Sequence, residues 1–484
     1  MRIPFPSYIP LGPLFAGLSL VLCIQLIEGT DPIFALLMFI AQACAIIAFN
    51  YMGGMTHMTG AFCLFAILPT VTVPELAHLA LGQPGDFNLV HPIETAGVCA
   101  VFYACVTVAA RMVSLTRHSV AVIDRIQFSI LELRIISVVA CFMALSIAVQ
   151  VLTLGRPVDN GSFLAAVNHF YPFLIATSVI MATYVHIETT SRKSVINAYV
   201  AFLLILALIP GMLSASKEGI LTPFLCWLVV VAASRHRFSW WGLLALLITV
   251  LVAWNFVYPF SQNARSPVRA ANTLSEKTSI IIDYFRNPSQ FFDVNASFTK
   301  SSEFGFETSK VSIIARYSTL PSIDMLIDAD HKLGYTSIDR YLPVLVSVVP
   351  HAIWPDRPTS ITSNELGHKA GFAIGNGDDE TGIAIGTPAL FFDLGGWLAL
   401  IVYTLICFTL FFFVAVRLVG SSTTGYWGLV VTGTEANIAG NAAPDAMFNL
   451  AIMFVGMFIF VLLTLKIAGS SAARLISVPN PSKS

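Results

Sequence analysis

The sequence predicts an all-α polytopic membrane protein: about twelve transmembrane helices with a large, partly helical extracytoplasmic loop. Three observations carry this. The 484 residues are 56% hydrophobic and only 11% charged, where a soluble domain is about 25% charged, and the mean hydropathy is +0.79. Apolar runs near twenty residues recur along the chain, the length a helix needs to cross the hydrocarbon layer. Basic residues fall in alternate loops between those runs.

In chain order, the expected spans are 11–28, 33–50, 58–76, 93–113, 135–155, 164–187, 195–213, 218–233 and 239–259, then 395–416, 423–439 and 446–465. The first is a retained span, since no basic region or small-residue cleavage site marks it as a signal peptide. The third carries Pro69 and Pro74 and should kink. The eleventh, GYWGLVVTGTEANIAGN, is short and polar at its end, and without it the count is eleven. Charge placement favours twelve. Arg117, Arg125 and Arg134, then Arg192 and Lys193, then Arg235 and Arg237, then Arg417 all fall on one side under that map. The positive-inside rule makes that side cytoplasmic. Arg2, Lys466, Arg474 and Lys483 agree, which puts both termini in the cytoplasm. The chain then divides into an N-terminal bundle of nine spans (1–259), an extracytoplasmic loop (260–382) and three C-terminal spans (383–484).

The net charge of -1 argues neither for nor against a nucleic-acid role, but there is no basic block to hold phosphate backbones, and no nucleic-acid partner is expected. All eight cysteines sit in apolar stretches and read as core packing. No CxxC or Cys/His spacing calls for a metal, and no Gly-rich phosphate loop calls for a nucleotide cofactor.

The large loop is too aromatic for a disordered linker, with Ile280 to Phe285, Phe291, Phe292, Phe304, Phe306 and Ile313 to Tyr317. Residues 308–328 read as short helices against the membrane mouth, interrupted by Pro321. Residues 367–382, rich in Gly and acid, read as a mobile lid or turn-rich loop. Arg340 to Pro358 reads RYLPVLVSVVPHAIWPDRP. Its apolar run, Tyr341 to Val349, is too short to span, so a re-entrant or interfacial segment is expected near 341–354. Pro350 and Pro355 fix the exit.

Four groups could carry chemistry. SASKEG, Ser214 to Gly219, joins two spans at the outer face. There Lys217 could hold a phosphate and Glu218 could accept a proton, although a short loop with a solvated ion pair is the plainer reading. RSPVR places Arg265 and Arg269 four residues apart, on one face if helical, where guanidinium forks suit phosphate oxygens. Headgroup contact or pairing with loop acids would explain them equally. Arg316, in SIIARYS, needs an anionic partner or a wet cavity. In the opening stretch, Arg340 and Arg357 could meet an anion and His351 could act as a base. A histidine at a helix end is more often simply a satisfied polar residue. Trp354 could stack on a sugar or anchor at the interface. His368, Asp378, Asp379 and Glu380 form a weaker acidic group without metal-ligand spacing. Within the spans, Glu75, Glu94, His169 and His186 could line a cavity or reach water at span ends.

Together, SASKEG between two spans, the arginines after the ninth span and VPHAIWPDRP before a Gly-rich stretch resemble the bacterial O-antigen and exopolysaccharide repeat-unit polymerases. The resemblance runs over residues 205–400. The family's Ser-Arg-Gly element is similar to Ser216, Lys217, Glu218 and Gly219, with lysine for arginine and a glutamate inserted. Its proline–tryptophan run is similar to Pro350, Ile353, Trp354, Pro355, Arg357 and Pro358, and its glycines to Gly382, Gly386, Gly395 and Gly396. The resemblance implies a glycosyltransferase acting on polyprenyl-diphosphate-linked oligosaccharides at the outer face of the bacterial inner membrane, alongside a chain-length regulator and a flippase. On that reading Arg265, Arg316, Arg357, His351 and Glu218 serve catalysis, and Lys217, Arg269, Arg340 and Trp354 hold substrate. The related O-antigen ligases share the layout and transfer glycan to a lipid A core. A secondary transporter, or an envelope-assembly scaffold, is the rival from another class; a transporter wants mid-span charge and repeat symmetry.

Overall fold

The computed structural model describes residues 3–115, 128–153, 171–191, 194–240, 273–287, 318–343, 363–371, 385–419 and 425–438, with scattered positions between 242 and 271 and at 354 and 356. Among these residues the chain is helical and has no strand. Five helices are long and apolar enough to cross a bilayer: Pro32–Tyr51, Met58–Leu81, Pro92–Ser114, Ile130–Gln150 and Gly396–Arg417. Shorter apolar helices occupy Leu11–Ile27, Phe173–Thr189, Ala198–Leu213 and Gly219–Ala233. The stretch expected at 423–439 is a 13-residue helix, Tyr426–Ile438. The span expected at 446–465 and most of that at 239–259 lie outside the described residues.

Local chemistry sets the helix limits. Helix α1 is Leu11–Ile27 and α2 is Pro32–Tyr51. The Asp31 side chain accepts from Ile33 N at 2.8 Å and Phe34 N at 3.1 Å, and Pro32 supplies the first helical position without a stray N–H. The third crossing helix is α3 (Met58–Ile67), a π-helical turn (Leu68–Thr72) and α4 (Val73–Leu81). A π-helical turn accommodates Pro69 within the continuous helix Met58–Leu81. Gly82, at φ 64°, ends it in the left-handed region. Helix α5 is Pro92–Ser114. It packs on α2 through small residues: Ala41, Ala45 and Ala48 face a helix carrying Ala96 and Ala100. Without a hydrophobic drive inside lipid, such close backbone approach supplies the packing energy. Large apolar side chains such as Leu36, Ile40, Val108, Met112, Ile406 and Leu410 remain exposed, as on a lipid-facing surface.

Next come α6 (Ile130–Thr153), α7 (Tyr171–Thr189), α8 (Ala198–Leu213) and α9 (Lys217–Ala233). Short helices follow: α10 (Leu274–Arg286), α11 (Leu320–Leu333), α12 (Ser363–Lys369) and α13 (Thr387–Asp393), before α14 (Gly396–Val419) and α15 (Tyr426–Ile438). Contacts sort the turns into two ends. Phe128 N donates to Tyr426 Oη at 2.8 Å, Tyr199 Oη lies 3.4 Å from Arg134 O, and Trp227 Nε1 donates to Val195 O at 3.1 Å. This end gathers Arg134, Arg235 and Arg237 and is here termed the basic end. The opposite, loop end gathers residues 28–31, 82–91 and 334–341.

Part of the expected outer loop does not stay on the surface. Thr319 N donates at 2.9 Å to Pro69 O, half-way along the helix Met58–Leu81. Phe391 of α13 stacks on Phe102 and meets Phe408 edge-on, well inside α5 and α14. A Cβ on Gly386 would lie 2.7 Å from Ile323 Cδ1, so the starts of α11 and α13 touch. Both short helices therefore begin inside the bundle and rise to its loop end. Pro321, expected to interrupt a helix, instead stands in the first turn of one.

Candidate functional site

Two assemblies stand out, one polar and at the loop end, the other apolar. The first joins α11, α12 and α13 through charge. Lys369 Nζ donates to Asp330 Oδ1 at 2.6 Å, to Asp393 Oδ1, and to Thr336 Oγ1 at 3.0 Å. Both carboxylates are buried, and the lysine is 16% exposed. Tyr341 Oη donates to Asp393 Oδ2 at 2.6 Å, and Thr336 N donates to Asp393 O at 2.9 Å. Burial, then the neighbouring Asp393, pushes the Asp330 carboxyl up to about 8, against the pull of Lys369. Burial opposes ionisation of Asp393 as well, but Asp330, Lys369 and Tyr341 outweigh it and hold that carboxyl below its usual value. At neutral pH the cluster is one cation, one carboxylate and one neutral acid, with no net charge in a low-dielectric site.

The same helix α11 is pinned to α5. Asp324, 1% exposed, accepts from Val90 N at 2.6 Å, His91 N at 2.8 Å and Thr95 Oγ1 at 2.9 Å. Around it lie the pairs His91–Asp328 at 3.2 Å and His331–Glu94 at 2.7 Å. Beside them opens a groove of about 620 Å³, lined by Leu37, His91, Ile93, Glu94, Gly97 and Trp397.

The second assembly is a small separate core: Ala215, Ile220, Phe260, Ala264, Val268, Ile281 and Tyr284. It brings together the two basic stretches that the sequence keeps apart. Ser216 caps α9, its hydroxyl accepting from Gly219 N at 3.2 Å. Ala215 adopts φ 47°, which sharpens the turn from α8 into α9. Gly219 faces Gly211, and a Cβ on it would stand 2.8 Å from Gly211 Cα. The glycine of SASKEG therefore serves the close approach of α8 and α9.

Of the predicted site residues, Lys217 and Glu218 form the first two positions of α9, with their backbone alone described. Arg265, Arg269, Arg316, His351 and Arg357 lie outside the described residues, as do Asp378, Asp379, Glu380 and His169. Ala264 and Val268, beside the arginines in sequence, belong to the second core. Arg340 is exposed at the end of a 3₁₀ turn, Ile338–Arg340, and its Nη2 donates to Glu365 Oε2 at 2.6 Å. Trp354 is 44% exposed. His368 lies in the last turn of α12, which places a helix where a turn-rich loop was expected to begin. Glu94 pairs with His331, whereas Glu75 and His186 are buried. Asp324, Asp330, Lys369 and Asp393 escaped the sequence reading. Asp393 carries the one legible signal, a lone acid in TPALFFDLGGW.

No family model, curated protein or solved structure matches the chain.

Proposed function

We propose that the chain polymerises polyprenyl-diphosphate-linked oligosaccharide repeat units at the outer face of a bacterial inner membrane, for O-antigen or exopolysaccharide. The observation that supports this best is the meeting of Ala215 and Ile220, which flank Lys217 and Glu218, with Ala264 and Val268, which flank Arg265. A shared core would gather Lys217, Arg265 and Arg269 where a lipid-linked diphosphate departs. In the reaction an acceptor hydroxyl attacks the anomeric carbon of the donor glycan. The new glycosidic C–O bond forms as the bond from that carbon to the diphosphate oxygen breaks, and the lipid diphosphate leaves with the electron pair. Preplaced cations stabilise that charge. Glu218 or His351 takes the hydroxyl proton as the bond forms. Arg316 and Arg357 complete the cationic side. Tyr341 supports the opening stretch: its bond to Asp393 fixes the base from which Arg340 to Pro358 departs.

The test is a ladder of polymer made from a lipid-linked repeat unit by the purified protein in nanodiscs. Arg265→Ala should abolish the ladder at equal protein level, and Arg265→Lys should restore only part, since charge returns without the fork. Transfer to a lipid A core with no ladder would make it a ligase. A transporter reading draws on the half-depth helices α11 and α13, of a kind found at transport sites. Movement of the labelled unit across a vesicle membrane with no new glycosidic bond would establish it.

A further inference from the structure

We infer that Glu75 is a membrane-embedded proton-binding carboxyl, served with protons from the loop end of the bundle. Glu75 lies in the crossing helix Met58–Leu81 and is 3% exposed. Gln42 Nε2 of α2 donates to its Oε2. The Gln25 amide of α1, 1% exposed, lies beside the same carboxyl and interacts with it. No Lys, Arg or His of the described residues stands within ion-pair distance of Glu75. An ionised carboxylate without a cation is strongly disfavoured in such surroundings. A neutral acid suits them, because it needs one acceptor for its O–H and one donor for its carbonyl, and two primary amides supply both.

A polar file connects this carboxyl with the surface. His78 stands one turn further along α4, near Gln83 and Asp86. A Cβ on Gly85 would lie 3.3 Å from Gln25 Nε2, so the loop after α4 closes over that amide. Gly85 N donates to Thr30 Oγ1 at 2.8 Å and Asp31 N to Asp86 Oδ2 at 3.1 Å, which fixes the loop on the end of α1. Along the file, the His78 and Gln83 side chains interact with each other, and Glu28 Oε2 is a buried oxygen without a hydrogen-bond partner among the described residues. Buried polar groups gather water, and the polar side chains from Glu75 through His78 and Gln83 towards Asp86 suit a hydrated proton path. The acids and histidine on the loop side of Glu75, on its own helix and the loop after it, at the end of α1 and at the start of α2, are Glu28, Asp31, His78 and Asp86.

The test is infrared spectroscopy of the full-length protein in nanodiscs at neutral pH. Glu75→Gln should remove the intensity of one protonated carboxyl C=O stretch, and Glu75→Asp should shift that band. Transfer to D₂O should move the wild-type band, as the proton exchanges through the file. Incubation of the wild type with dicyclohexylcarbodiimide, which attacks protonated carboxyls in apolar sites, should give an adduct mapped to Glu75. The adduct keeps the test decisive if Glu75→Gln fails to fold. An unchanged C=O region in Glu75→Gln, no adduct at Glu75, or a band indifferent to D₂O would each overturn the assignment. A band abolished by sodium ions would replace the proton site with a metal-cation site.

Discussion

Lys369 meets two buried carboxyls and a threonine hydroxyl near the loop end, whereas Glu75 meets two amides and no cation among the described residues. The first group draws its members from α11, α12, α13 and the turn at 334–341. Each of those pieces is too short to hold itself, since isolated helices under about 15 residues are marginal, and charge binds them into one unit. The second group sits between long helices that need no such fastening. Its carboxyl meets neutral amides alone, and a buried acid without a cation is available to exchange a proton. The difference separates polar groups that fix geometry from one that is free to change state.

The largest expected effect breaks the fastening. Lys369→Met leaves the Asp393 carboxylate buried without its cation, and removal of one partner from a buried pair costs about 3–5 kcal/mol. Denaturant titration in detergent should show a loss of that order. A loss near zero would mean that Lys369 is a surface lysine. Asp330→Asn should be mild by contrast, because a neutral amide resembles the protonated acid found there.

The second effect is a pH dependence with a definite sign. The folded Asp330 carboxyl is held up to about 8 against an ordinary 3.8. The folded state therefore binds a proton that the unfolded chain releases between those values. Its stabilisation is complete below about 4 and is lost as pH rises through about 8. Asp393 has the opposite sign, its contribution being present above 3.8 and lost as pH falls through its depressed value. Stability measured from pH 4 to 8 should fall with rising pH in the wild type. Asp330→Asn should flatten that slope, and a slope equal in both would assign it to other groups.

The third test concerns Asp324, which unites the two kinds of region. Its two oxygens take three donors, and Asp324→Ala strands Val90 N, His91 N and Thr95 Oγ1. We expect a loss of about 1–3 kcal/mol, with increased protease access to 318–343 as the specific sign of α11 undocking. Unchanged cleavage would leave α11 held by the Lys369 cluster alone.

The apolar helices among the described residues were legible because span length is written in composition and order. The short helices were not. In α11, Asp324, Asp328 and Asp330 follow one another at mixed spacing, and nothing local says that Asp324 caps α5 while Asp330 meets a lysine 39 residues further on. Those pairings are long-range choices of packing. Asp393 was readable in principle, since a lone acid among apolar residues must find a partner. Lys369 was hidden among Gly and acid residues that resemble a solvated turn. At SASKEG, the chemical reading of Gly219 overlooked a steric one, the contact with Gly211.

The smallest effect sharpens the comparison from its exposed side. His331 Nε2 lies 2.7 Å from Glu94 Oε2, closer than His91 lies to Asp328, yet its side chain is 46% exposed. Water screens a pair so open, and double-mutant cycles on such pairs give about 0–1 kcal/mol. His331→Ala should thus change stability by less than about 1 kcal/mol, far below Lys369→Met, despite a similar contact distance. Raising the salt concentration should erase even that difference, because exposed charges are screened within about 10 Å at 0.1 M. The buried Lys369 cluster should keep its contribution in the same salt. Distance would then be the wrong predictor of ionic strength in this molecule, and burial the right one. A salt-resistant loss above 1 kcal/mol in His331→Ala would instead place that pair among the fastenings of α11.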